Sequence, residues 1–273
     1  MSQSPMVIIY IYMHHQVNIY VFRINKSNIK VSEMKNLKLA LIPLLCVATI
    51  ACADAQWKKR VTGSGDVQKE ERKATEFSGV RTSSAIDVYL SQGNNPRIVV
   101  EADDNLLEYI VTEVKNDVLR VYPDDVNIRR AERLRVYVTM KNIEFIGTSS
   151  AGDVIGETPV KAESLKISAS SSGNVKLEVY AKELFLTTSS AGDITLKGTA
   201  DYVEASTSSA GDIKAYDLEV KEADLSSSSA GDIKITVTER LKARASSAGD
   251  IYYYGNPEYV DSKSSSGGDV IRR

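Results

Sequence analysis

The chain has 273 residues, 34 Lys+Arg against 36 Asp+Glu and 42% hydrophobic side chains. That balance excludes wholesale disorder and offers no net basic character of the kind nucleic-acid binding needs. Both cysteines, Cys46 and Cys52, and both histidines, His14 and His15, fall in the first 52 positions.

In chain order, residues 1–33 show no recognisable targeting grammar and are expected to be an extension upstream of a true start at Met34; a peptide from this stretch recovered from native cells would overturn that. Residues 34–55 have the grammar of an export signal: Lys35 and Lys38 as a positive start, an apolar run over 39–51, and Ala53-Asp54-Ala55 as a small-x-small cleavage site. Two outcomes stay open here. Cleavage after Ala55 would leave a chain with neither Cys nor His, and lipidation of Cys52 would leave a lipoprotein. A spanning helix is disfavoured, since the run is shorter than the ~20 residues a bilayer requires. Five basic and two acidic residues precede residue 56, so the remainder holds 29 against 34, a formal net charge of −5.

Residues 56–148 read as an irregular β-rich part. Strands are expected over 97–101, 118–122 and 134–139, a turn at Gly93-Asn94-Asn95-Pro96 and a short helix over 105–111. Ser83-Ser84-Ala85-Ile86-Asp87-Val88 looks like a diverged copy of a tag that becomes regular later, and Gly63-Ser64-Gly65-Asp66-Val67 like another. Residues 149–273 repeat the tag Ser-Ser-Ala-Gly-Asp-Ile/Val, with glycines at Gly152, Gly173, Gly192, Gly211, Gly231, Gly249 and Gly268, spaced 21, 19, 19, 20, 18 and 19. Between tags, apolar residues alternate with period two (Val203, Ala205, Thr207, Ser209; Leu225, Ser227, Ser229; Ile233, Ile235, Val237), as in half-buried strands. The spacing predicts an all-β fold, a parallel β-helix of ~19-residue coils with each tag at a corner. No proline lies between Pro159 and Pro257, as ladders bonded on both sides demand. The tag glycine is expected to supply positive φ at its corner, and a right-handed wind is expected because parallel crossovers usually have that hand.

With these repeats laid out, the sequence resembles the bacterial family called putative auto-transporter adhesin, head GIN domain, over nearly all of residues 63–270. The resemblance rests on Phe77-Ser78-Gly79-Val80, on Ile86-Asp87-Val88-Tyr89-Leu90-Ser91-Gln92-Gly93, on Val99-Val100-Glu101-Ala102-Asp103-Asp104-Asn105-Leu106, and on the serial tags. It implies an exported β-helical protein, of a kind common in Bacteroidota, whose family name points to adhesion. A translocator barrel is not expected, because the last repeat runs to Arg273.

Four groups of residues are candidates for function. The aspartates Asp153, Asp193, Asp212, Asp232, Asp250 and Asp269 form one column; stacked carboxylates could ligate calcium, but Asn174 in the same slot favours local turn bonds instead. No metal and no cofactor is therefore expected. Ser150, Ser171, Ser190, Ser209, Ser229, Ser247 and Ser266 lack an activating base and read as hydroxyls bonded up a stack in a thin part of the core. The pairs Asp103-Asp104 and Asp124-Asp125 read as solvated turn acids rather than a glycosidase pair. Tyr252 and Tyr254, outward by alternation with Tyr253 inward, are the expected ligand-binding residues. The expected function is non-enzymatic binding of a cell-envelope or extracellular partner, a glycan or a protein, with no nucleic acid and with membrane contact only through Cys52. A self-associating envelope scaffold is the alternative, and a polysaccharide-active enzyme ranks third.

Overall fold

A computed structural model describes residues 58–273, together with the backbone of Met6–Met13 and Gln16–Arg23, which pair antiparallel. The export signal, Cys46 and Cys52 lie outside the described residues.

From residue 143 onward the chain winds as a solenoid. Asn174–Ser189, Asp193–Thr207, Asp212–Ser227 and Asp232–Ala245 each start at the acid or amide of one tag and end just before the next turn. Each pairs in parallel with the one before and the one after, Asn174 on Asp193 and Asp193 on Asp212. In Asn174–Ser189 the inward residues are Val175, Leu177 and Val179, then Leu184, Leu186 and Thr188; the exposed pair Lys182-Glu183 breaks the alternation and marks the far corner. Inward residues therefore stack in columns. Val154, Val175, Ile194, Ile213, Ile233 and Ile251 form one, each at most 1% exposed, and each is worth about 1.5–3 kcal/mol of burial.

The tag turn differs from the sequence expectation. Its two central residues, not its glycine, have positive φ: Ser209 at 53° and Ala210 at 62°, with the same pattern in every tag turn from Ser150-Ala151 to Ser266-Gly267. Gly211 N–H closes the turn on the carbonyl of Ser208 at 3.2 Å, which is the type I′ arrangement. The glycine is needed for close approach: a Cβ on Gly211 would stand 2.8 Å from Thr188 Oγ1 and 2.9 Å from Ser189 N of the neighbouring coil. Ser209, Ser229 and their equivalents are consequently exposed, not inward. The rung-to-rung bond at this position is made by backbone, with Ala191 N–H donating to the carbonyl of Ser209 and Ala210 N–H to that of Ser229. The buried hydroxyls lie two positions earlier, at Thr148, Thr188, Thr207 and Ser227. Thr207 donates to the carbonyl of its own tag glycine, Gly211, and Ser227 likewise to Gly231.

The diverged tag at residues 83–88 is a true coil turn, with Ser84 and Ala85 at φ 61° and 58°. Its flanking strands Gly79–Thr82 and Asp87–Gln92 pair in parallel with Phe145–Thr148 and Asp153–Gly156. Two successive coils are thus interrupted by residues 93–142, which stack on the first coil's other side. Val118–Pro123 pairs with Gly79–Thr82 and Leu134–Met140 with Asp87–Gln92, both in parallel. Arg97–Asp103 then adds antiparallel, and Val67–Arg72 antiparallel on that. This insertion caps the N-terminal end. Gln92 ties exit to return: its side chain bonds the carbonyls of Lys141 and Lys161 and accepts from Lys161 N–H at 2.8 Å.

Two further expectations need correction. Residues 63–67 are not a coil turn, because Val67–Arg72 runs antiparallel and Gly65 N–H donates instead to Asp103 Oδ1 at 2.6 Å. The expected helix at 105–111 is a 3-10 turn over Asp104–Tyr109, followed by the strand Ile110–Lys115.

Candidate functional site

Tyr252, Tyr253 and Tyr254 lie on Asp250–Tyr254, held between Asp232–Ala245 and Val270–Arg272. The pleat turns Tyr253 onto the core, leaves Tyr252 half-buried outward and Tyr254 37% exposed, as alternation predicts. Gly255, at φ 91°, ends the strand where a Cβ would strike the Val237 carbonyl.

A third ring joins them. Tyr216, 41% exposed, meets Tyr254 edge-to-face with ring centroids 4.9 Å apart, a geometry worth about 0.5–1.5 kcal/mol. Tyr216 reaches it because its strand bulges, the register to the next coil shifting between Ala215 and Glu219. The tag spacings of 20 and then 18 are the trace of this bulge in the sequence. Across it, Thr236 Oγ1 donates to the Tyr216 carbonyl at 2.8 Å. Tyr252 is flanked by cations, with Lys234 Nζ at 5.6 Å and the Arg273 guanidinium at 5.2 Å from its ring centre. Its hydroxyl donates to Asp250 Oδ2 at 3.0 Å, and that bond, together with burial, pushes the phenol above its ordinary range. Three rings and two cations on one outward face can stack on sugar rings or anchor a protein partner. Neither Tyr216 nor Arg273 is signalled by alternation alone.

The aspartate column is structurally occupied. Oδ1 of Asp193 accepts from Asp212 N–H at 3.3 Å, Oδ1 of Asp212 from Asp232 N–H at 3.2 Å, and Oδ1 of Asp250 from Asp269 N–H at 2.9 Å. The donor belongs to the next coil, not to the acid's own corner as expected. Oδ2 of Asp193 holds Lys214 Nζ at 2.6 Å, and Asp232 meets Lys234 at 3.5 Å. Asn174 differs from the acids: its backbone and side-chain N–H groups both donate to Asp153 Oδ1, and Asp193 N–H of the next coil donates to the Gly173 carbonyl at 3.2 Å. Among the described residues, no group of three or more His, Cys, Asp or Glu is placed to hold a metal.

Asp103 departs most from expectation. It is fully buried, not solvated, and accepts from Gly65 N–H at 2.6 Å, Glu132 N–H at 2.8 Å and Arg133 N–H at 3.3 Å. Burial pushes its carboxyl up, but the backbone donors outweigh that and hold it below the usual range. Both oxygens are engaged, so it is a structural clasp and not a free acid or base. Asp104 accepts from the Ser64 hydroxyl at 2.5 Å, and Asp124 and Asp125 are exposed.

A β-solenoid of tagged coils with a folded-back N-terminal cap is the class these observations define. The family model described as "Putative auto-transporter adhesin, head GIN domain" matches residues 76–257, and the chain belongs to that family. Solved structures share the fold. A putative adhesin from Bacteroides fragilis is 23% identical, with TM-score 0.73, and the match covers 78% of this chain and all of that one. A putative adhesin from Parabacteroides merdae is 22% identical, with TM-score 0.63, over 79% of this chain and 99% of its own. A protein from Parabacteroides distasonis titled a putative lipid binding protein is 26% identical, with TM-score 0.64, over 78% of this chain and all of its own. No curated protein matches the chain.

Proposed function

We propose that the protein is an exported, non-enzymatic binding protein of the adhesin kind, which engages a cell-envelope or extracellular partner through the face bearing Tyr216, Tyr252 and Tyr254. The observation that supports this reading is the Tyr216–Tyr254 pair, two large rings left outward on a rigid sheet beside cation-flanked Tyr252. The family's adhesin name agrees with it. Chemistry would need a free acid, base or nucleophile in a cleft, whereas Asp103 and the aspartate column spend their oxygens on backbone N–H groups and lysines. A glycan array probed with the protein and with Tyr252→Ser/Tyr254→Ser tests the reading. Binding abolished in the variant is expected; unchanged binding would reject the patch.

One observation favours the scaffold alternative: the last strands, Tyr259–Ser264 and Val270–Arg272, each pair on one side only, leaving an open edge. The last coil nevertheless puts Ser262 and Ser264 where Ala243 and Ala245 sit one coil earlier, as a capping coil does. A monodisperse monomer in light scattering at high concentration is expected.

A further inference from the structure

The regular coils pair their charges from one coil to the next: Lys182 with Glu163 at 2.6 Å, Lys197 with Glu178 at 2.8 Å, Lys221 with Asp201 at 2.6 Å and Arg244 with Asp261 at 2.8 Å. The N-terminal cap also forms ion pairs, Lys69 with Glu101 at 3.4 Å and Arg97 with Glu71 at 3.0 Å, but one stretch of it does not. Between residues 128 and 135 four arginines stand against a single acid, Glu132. Arg129 and Arg130 are exposed and make no ion pair or side-chain hydrogen bond among the described residues. Arg133 reaches only the backbone carbonyl of Glu132, at 3.3 Å, and Arg135 lies over the Tyr89 ring at 5.3 Å. Together they line a depression of about 460 Å³ with two acids, Asp87 and Glu132. An evenly balanced total charge hides this local excess.

The chain enters the fold at the same place. Lys59–Thr62 pairs in parallel with Val126–Arg130, so the chain enters on the rung that carries Arg129 and Arg130; Lys58 itself meets Asp125 at 3.7 Å, at the other end of that strand from the arginines. Cys52 precedes Lys58 by six residues, a tether of at most about 20 Å. Any anchor on that segment would therefore hold this end of the solenoid, and no other, against a bilayer.

We propose that the arginine-lined cap is a docking surface for the anionic phosphate headgroups of a lipid bilayer. The guanidinium groups of Arg129, Arg130 and Arg133, which form no ion pair among the described residues, match phosphate oxygens in a two-point geometry; Arg135 lies nearer to Glu101 and Asp87. Each cation at an anionic bilayer surface contributes roughly fivefold in partitioning. Docked this way, the tyrosine face, about seven coils away at ~4.8 Å per coil, stands on the order of 30 Å out from the surface. A soluble polyanion would offer similar oxygens but would give no reason for the patch to share the rung on which the chain enters. The proposal is independent of what the tyrosines bind.

Sedimentation of the full chain with vesicles tests it, using Cys52→Ser throughout so that no acyl chain contributes. Vesicles of phosphatidylcholine alone are compared with vesicles containing about one third phosphatidylglycerol, at about 0.15 M and 0.5 M salt. The parent is expected to prefer the anionic vesicles and to lose that preference at high salt. R129Q/R130Q/R133Q is expected to bind them on the order of 100-fold more weakly, while Tyr252→Ser/Tyr254→Ser binds as the parent does. Should the triple variant melt early, R129Q/R130Q, at two exposed positions, reads the same effect at roughly 25-fold. Equal binding to both vesicle types, or arginine variants that bind as the parent does, would overturn the proposal. So would arginine-dependent capture of heparin or DNA without capture of vesicles.

Discussion

Single residues here are constrained by the coil beside them more than by their sequence neighbours. Asp103 takes three backbone N–H donors from two loops, which also meet where Gly63 N–H donates to the Arg130 carbonyl at 2.7 Å. Asp103→Ala leaves those part-buried donors without their partner and should cost about 1–3 kcal/mol in urea unfolding. Because its folded carboxyl lies below the unfolded value of about 3.9, its stabilisation is complete above that pH and is lost as pH falls through the folded value. Asp103→Asn should therefore flatten the acid limb of melting temperature against pH below about pH 4; an acid limb identical to the parent's would refute the clasp. Asp87 has the opposite sign. Burial, then Asp153 next to it in the column, pushes its carboxyl up, so ionisation costs stability as pH rises through the carboxylate range. Asp87→Asn, the residue type found at Asn174 in the same column, should raise the melting temperature at pH 7 and have no effect at pH 3. A lower melting temperature at pH 7 would show that the charge matters for something else.

At the scale of the element, the tag turn carries the strongest signal in the sequence and also a conformation the sequence does not specify. Period-two alternation with a Ser-Ser-Ala-Gly-Asp block every ~19 residues suffices to derive strands, parallel stacking and the inward identities of Val203, Ala205, Ile213 and Ile233. It carries no information on which turn residue is left-handed, because serine and alanine rarely are. The packing against the preceding coil, invisible in one dimension, forces glycine where a Cβ would clash and pushes the positive φ onto the two residues before it. For the same reason alternation alone puts Ser209 and Ser229 inside, whereas the turn exposes both. These roles separate by substitution. Gly211→Ala should cost about 1–3 kcal/mol through overpacking, whereas Ala210→Gly should stabilise by up to ~1 kcal/mol by relieving the left-handed strain. Paired urea curves read both, and the reverse order would restore the glycine to the conformational role. The Tyr216 bulge is a related case: the spacing of 20 followed by 18 records it, but only the fold shows which residue it throws outward.

At the scale of the whole molecule, the solenoid was legible because each coil repeats its neighbour, and the cap was not, because it obeys no repeat. Residues 93–142 leave between two coils that touch, and only long-range pairings such as Val88 with Val154 reveal the detour. The same non-repeating stretch holds the arginine cluster, which neither net charge nor periodicity brings out. Residues 58–273 thus form a solenoid with distinct ends: an arginine cluster on the rung where the chain enters, and an aromatic face with a polar last coil at the other. Both proposed activities depend on successive segments lying in register as rungs of one sheet. Cysteine cross-linking tests that directly, since residues 58–273 contain no cysteine and Cys46 and Cys52 can be replaced by serine. Thr187 and Ser206 are outward register partners on adjacent coils, within the Cα separation a disulfide spans. Thr187→Cys/Ser206→Cys should close an intramolecular disulfide under mild oxidation, while Thr187→Cys/Ser226→Cys, two coils apart, should not. Closure of the distant pair, or of neither, would contradict the stacked solenoid and remove the surface on which both activities are placed.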